Sequence, residues 1–173
     1  MIRVWLRIII FVIVFVLLQA LVINNIHMFG LITPFIYLYV ILKIPVNLSR
    51  SAVIAISFLL GLLIDIFSDT SGMHAAACSF IGLTRMPLLE RLVDFKDMPE
   101  GVVPSYKTFG FLKFVRYSII LIAIHHVILF VVESFSFFQP WLMISRMLSS
   151  IFFTSLLCLI IEAFNINRVK GGE

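Results

Sequence analysis

Charge is what this chain has least of: only 13% of its 173 residues are Asp, Glu, Lys or Arg. Against that stand 62% hydrophobic residues and a mean hydropathy of +1.15. So little charge excludes an ordinary soluble domain, whose outer shell must face water. A bilayer removes that demand, because acyl tails are as apolar as leucine. Cysteine is nearly absent as well. Cys78 and Cys158 both fall in apolar runs, about 16 Å apart in depth at 1.5 Å per residue, too far for a disulfide, so both read as packing residues. Also missing are a Walker loop, an H-E-x-x-H sequence and any Cys or His cluster with metal spacing, which argues against an enzyme, a cofactor and a metal. No basic stripe has the organisation of a nucleic-acid binder. There is no internal repeat and no low-complexity tract.

What is present is a series of apolar runs at about 4–23, 28–44, 51–68, 72–88, 114–135 and 141–162. A bilayer crossing needs roughly 20 residues. The sequence therefore predicts an all-α polytopic membrane protein with six transmembrane helices in one domain over 1–173. The second run is the weakest, interrupted by Pro34 and ended by Pro45, and the fourth contains Gly82 and Pro87. The first run continues to about Ile23 without a small-x-small cleavage pattern, so it reads as an uncleaved span.

Loop charge argues that the weak runs cross. The segments Ile23–Gly30, Ser68–Gly72 and Ser134–Pro140 hold no Lys or Arg, whereas the alternate segments hold twelve of the thirteen basic residues. The positive-inside rule then places both termini and the basic connections in the cytoplasm. Residues 91–112 form the long cytoplasmic loop, mixed in charge and shaped by Pro99, Gly101, Pro104 and Gly110. It reads as a connector, with partner binding as the alternative.

Ionisable side chains at the bilayer centre cost about 2.5–3.5 kcal/mol on insertion scales and usually face a bundle interior. Asp65 ends a stripe with Ser57 and Gly61 on one helix face, Glu133 closes the fifth span, and Arg146 opens the sixth. All three share one depth near the outer leaflet. Arg146 either pairs with Asp65 or Glu133 and clamps helices together, or each group snorkels separately to the interface. His125 and His126 lie mid-span and diverge by about 100°, so they read as hydrogen-bonding groups between helices; His126 shares a face with Glu133. Gly72, Ala75, Ser79 and Gly82 give the fourth span a small-residue stripe, and Arg146, Ser150, Thr154, Cys158 and Glu162 recur at every fourth position of the sixth. Small residues let backbones approach closely. Both stripes serve either internal packing or a helix from another protein.

Three segments together resemble the bacterial rod shape-determining MreD family, in its Bacteroidetes forms. The first runs from Leu18–Gln19 through Asn24–Gly30 and Thr33–Phe35 to Leu42–Pro45; the second is Gly61–Ala77, GLLIDIFSDTSGMHAAA; the third is KTFGFLKFVRY at 107–117 with IHHVILFVVESFSF at 124–137. The resemblance spans nearly the whole chain. It implies a fold similar to the S components of ECF vitamin transporters, and a non-enzymatic inner-membrane scaffold of the cell-elongation machinery. It also implies a direct partner in MreC, with MreB, RodA and its penicillin-binding transpeptidase in the wider complex. On this reading the small-residue faces of spans three, four and six offer docking to MreC. The alternative is a membrane substrate-binding subunit of a small-molecule transporter, which needs a polar pocket open to the outside.

Overall fold

The computed structural model describes residues 2–25, 33–94, 101–133 and 140–170. Every regular element among them is helical: α1 (Ile2–Leu21), a 3-10 turn (Ile23–Asn25), α2 (Leu38–Leu42), α3 (Arg50–Ser68), α4 (Met73–Leu92), α5 (Tyr106–Phe109), α6 (Phe111–Glu133) and α7 (Pro140–Lys170). Leu, Ile and Phe dominate, and no pattern of period two competes with helix formation. Three stretches are long and apolar enough to cross a membrane: Arg50–Ser68, Phe111–Glu133 and Trp141–Phe164. In α1, Ile8–Leu21 is a shorter apolar stretch. The chain is an all-helical protein with the apolar helices of a membrane protein.

The outward faces carry the hydrophobic surface. Ile9, Ile13 and Leu17 of α1, Leu59 and Ile66 of α3, Ile120 and Val127 of α6, and Phe152 and Leu156 of α7 are all exposed. So large an apolar surface is incompatible with water and suits lipid. Inside, α3 and α4 pack antiparallel at backbone distance. A Cβ on Gly61 would stand 2.5 Å from the His74 carbonyl oxygen and 2.6 Å from the Ala75 Cα, while one on Gly82 would meet Ser57 Oγ at 2.8 Å and the Ile54 Cα at 3.2 Å. These glycines are what allow the two helices to touch.

The expected second span differs most from the structure. Residues 33–37 are not helical, and α2 is five residues long, ending in a turn at Lys43 and Pro45. Pro34 has no N–H to give and biases Thr33 away from helix. The segment is not on the lipid face: Phe35 to Leu42 are all buried, and six of these eight residues, Tyr37 to Leu42, are no more than 2% exposed. It runs through the centre of the bundle, with α1, α4, α6 and α7 around it. The start of that run, 28–32, lies outside the described residues, as do His27, Lys96 and the connection 134–139. The described parts of the 91–112 loop are 91–94 and 101–112, with α5 set off from α6 by Gly110 at φ 78°.

Candidate functional site

Asp65 begins the last turn of α3, three residues before its end, and the chain then reverses through Asp69 (φ 53°) and Gly72 (φ 81°) into α4. Both positions need left-handed backbone, which Asp tolerates and Gly adopts freely. The turn aims the first amides of α4 at the Asp65 carboxylate. Oδ1 accepts from Thr70 Oγ1 at 2.5 Å and from the His74 amide at 3.0 Å, and Oδ2 accepts from the Ala75 amide at 2.8 Å. A carboxylate 3% exposed is thus placed on the orphan N–H groups and positive end of a helix. Gly61, one turn earlier, makes room for the same backbone. Gly61, Asp65, Gly72 and Ala75 therefore act together as one helical hairpin.

This differs from the expected pairing of Asp65 with Arg146. Asp65 is bonded by α4 and Thr70, and among the described residues no ion pair joins it to Arg146. Glu133 and Arg146 are exposed, at the last turn of α6 and the second turn of α7. The small-residue seams are likewise filled from within. Gly61 and Ala75 face each other, Gly82 faces Ser57, and Ser79 is half-buried with its hydroxyl on the Ala75 carbonyl, 2.7 Å away. Ser150, Thr154, Cys158 and Glu162 of α7 are buried. Gly61, Ala75 and Gly82 of the α3–α4 seam and Ser150 to Glu162 of the α7 seam thus pack within the bundle, whereas Gly72 is half-buried with open space where a Cβ would stand.

What occupies the α7 seam is the irregular segment. Buried backbone without helical partners must find others. The Thr33 amide donates to Ser150 Oγ at 3.1 Å and the Phe35 amide to Thr154 Oγ1 at 3.0 Å. From α1, Gln19 Oε1 accepts from the Ile36 amide at 2.9 Å and Gln19 Nε2 donates to the Pro34 carbonyl at 3.1 Å. Gln19 Nε2 also donates to Asn24 Oδ1, and Asn24 Nδ2 reaches Ser68 Oγ of α3 at 3.0 Å. One glutamine in an apolar helix thus replaces two helical hydrogen bonds.

At the centre, Tyr37 Oη lies 2.8 Å from His74 Nδ1 and 2.9 Å from His125 Nε2. A hydroxyl has one proton, so it donates to one ring and accepts from the other. His125 Nδ1 is buried without a partner, and a buried orphan N–H is the more costly vacancy on a ring. The arrangement without one has His125 Nε2–H donating to Tyr37 and Tyr37 donating to His74 Nδ1. His126 turns the other way. Its Nδ1 donates to the Ile122 carbonyl at 2.8 Å, leaving Nε2 to accept from Thr154 Oγ1 at 3.4 Å while that oxygen accepts the Phe35 amide. The two histidines thus bond to different partners, as their divergence on α6 requires.

A second polar group closes the opposite end. Lys43 Nζ meets Glu162 Oε2 at 2.9 Å and Oε1 at 3.2 Å, and donates to the Pro104 carbonyl at 2.6 Å. Tyr39 Oη donates to the same Oε2 at 2.6 Å, and the Tyr106 amide to Oε1 at 3.4 Å. Burial, and then the Glu162 charge, raise the Tyr106 phenol above its ordinary pKa. Arg85, fully buried, donates from Nε to Tyr117 Oη at 2.9 Å and from Nη2 to the Ile44 carbonyl, while Tyr117 donates to the Leu42 carbonyl at 3.3 Å. These groups satisfy the carbonyls at the end of α2. No protein-family model, curated protein or solved structure matches the chain.

The sequence pointed to Asp65, His126 and the glycines, and the structure brings Gly61, Asp65 and Ala75 into one hairpin. Lys43 and Arg85 read as loop cations but are interior groups. Gln19, Tyr37, Tyr39, His74 and Tyr117 were missed as site residues. A glutamine inside the first apolar run is, with Pro34, the signal that something irregular packs beside it.

Proposed function

We propose that this chain is a multi-pass inner-membrane protein of the MreD type, a non-enzymatic scaffold of the rod-shape elongation machinery. In this reading it crosses the membrane six times, with both termini and the 91–112 loop in the cytoplasm and a fold similar to an ECF S component. MreC is its direct partner, and MreB, RodA and the penicillin-binding transpeptidase belong to the wider complex. The observation that carries the reading is the α3–α4 hairpin. In Gly61–Ala77, the segment that resembles the family's most recurrent feature, Gly61 leaves room for the α4 backbone and Asp65 accepts the His74 and Ala75 amides. Because the small-residue seams are used internally, MreC docks on an outward face. Photocrosslinkers at Leu17 of α1, Leu62 of α3 and Phe152 of α7, all exposed, test this, and one helix should trap MreC. Depletion in the native bacterium should turn rods into spheres; unchanged rods would remove the reading.

A second reading, a membrane subunit that binds a small molecule for transport, has one observation in its favour. An interrupted segment with polar side chains at the bundle centre is the design by which many transporters build a site. Depletion would then create a requirement for the transported compound and leave cell shape intact.

A further inference from the structure

The outward face of α6 changes character along its length. Arg116 lies at the middle of that face. At 100° per residue, Leu112, Ile119, Ile120, Ala123 and Val127 fall within about 60° of it, and Lys113 and Val131 at about 60°. Leu112, Ile119, Ile120, Val127 and Val131 are exposed, as lipid-facing residues should be, and Lys113 and Arg116 are exposed among them. Two cations therefore project from the acyl-facing stripe itself, within the first two turns of a helix long enough to cross a bilayer. They stand three residues apart, so their Cβ atoms are about 5–6 Å from one another, a spacing at which both side chains reach one phosphate. Lys107 on α5 lies across the Gly110 corner, and Phe111 and Leu112, 66% and 57% exposed, lie between.

The antiparallel packing gathers other charges at this end: exposed Arg50 at the start of α3, and exposed Glu90, Arg91 and Asp94 at the end of α4. The carboxylates are on α4, whereas α6 carries none before Glu133.

We propose that Lys113 and Arg116 form a binding site for the headgroup phosphate of an anionic glycerophospholipid, its acyl chain lying along Ile119, Ile120 and Val127. The two ends of the ligand match the two halves of the stripe, and the net positive charge selects an anionic lipid over a zwitterionic one.

The test uses full-length protein purified from mixed phosphatidylglycerol and phosphatidylcholine micelles, with retained lipids counted by native mass spectrometry. The wild type should keep phosphatidylglycerol in preference to phosphatidylcholine. The double variant K113Q/R116Q should lose retention on the order of tenfold or more, since each juxtamembrane cation contributes roughly a fivefold factor. R50Q/R91Q, with the same change in net charge, should keep it. Equal loss in both double variants, no loss in K113Q/R116Q, or equal retention of the two lipids by the wild type would overturn the proposal. A second measurement leaves every cation in place: a photocrosslinker replaces Ile120 or, as control, Phe152 of α7. Phosphatidylglycerol should be captured preferentially at 120, and equal capture at the two positions would also overturn the site.

Discussion

Replacing Asp65 by alanine removes three hydrogen bonds at once. It strands the His74 and Ala75 amides, 3.0 and 2.8 Å from the carboxylate, in a site that is 3% exposed. Each buried donor left without a partner costs about 1–3 kcal/mol, so the two together cost about 2–6 kcal/mol. The lost attraction between the carboxylate and the start of α4 adds about 0.3–1 kcal/mol. The apparent melting temperature should fall by something on the order of 10 °C, at roughly 2–4 °C per kcal/mol for a chain of this size. A thiol-reactive fluorophore can follow unfolding directly, because Cys78 and Cys158 are free and buried in the folded protein. Asp69→Asn is the matched control: Asp69 is exposed, and asparagine keeps its left-handed backbone. If Asp65→Ala melts within a degree or two of Asp69→Asn, the carboxylate is not holding α4 and the hairpin argument fails.

Gly61→Ala should destabilise by about 1–3 kcal/mol or more through overpacking, because its new methyl meets the backbone of His74 and Ala75 and cannot be relieved by rotating a side chain; the same melting assay reads it. Lys43→Met leaves the Glu162 carboxylate, 1% exposed, without its cation and should cost about 3–5 kcal/mol. Combining it with Glu162→Gln should recover part of that loss in a double-mutant cycle, whereas simple additivity would refute the pair. Tyr37→Phe removes the hydroxyl between His74 and His125 and should cost about 1–3 kcal/mol. In the wild type, 15N spectra of the imidazoles should show the Nε2–H tautomer for His125 and the Nδ1–H tautomer for His126, and the reverse assignment would contradict the hydrogen-bond directions.

Much of the helical frame is legible from hydropathy alone. The third run, 51–68, matches α3 to within a residue, and the fifth matches α6 within three at either end. Run length and apolarity suffice there because each helix faces lipid on one side. The same signal fails for 28–44. Its residues are as apolar as any, but 34–42 are buried on all sides, and hydropathy cannot separate a segment surrounded by lipid from one surrounded by protein. Its irregularity is legible only through Pro34 and, one helix away, through Gln19. For the candidate site, Asp65 stood out because a carboxylate in an apolar run must be compensated. Its partner did not, because backbone amides leave no mark in a sequence. Charge complementarity pointed to Arg146 instead. Lys43 and Arg85 look like loop cations in the sequence for a related reason: a cation beside a span end satisfies the charge rule whether it turns outward to water or inward to Glu162 and Ile44.

Segment 34–44 is enclosed by protein, with the Thr33, Phe35 and Ile36 amides held by Ser150, Thr154 and Gln19. Amide hydrogen exchange on the protein in nanodiscs measures this directly. The Phe35 and Ile36 amides and those of α2 should exchange as slowly as the middle of α3. Exchange over 35–42 as fast as at residues 101–105 would show that the segment is open to water, and the buried polar core described around it would not exist.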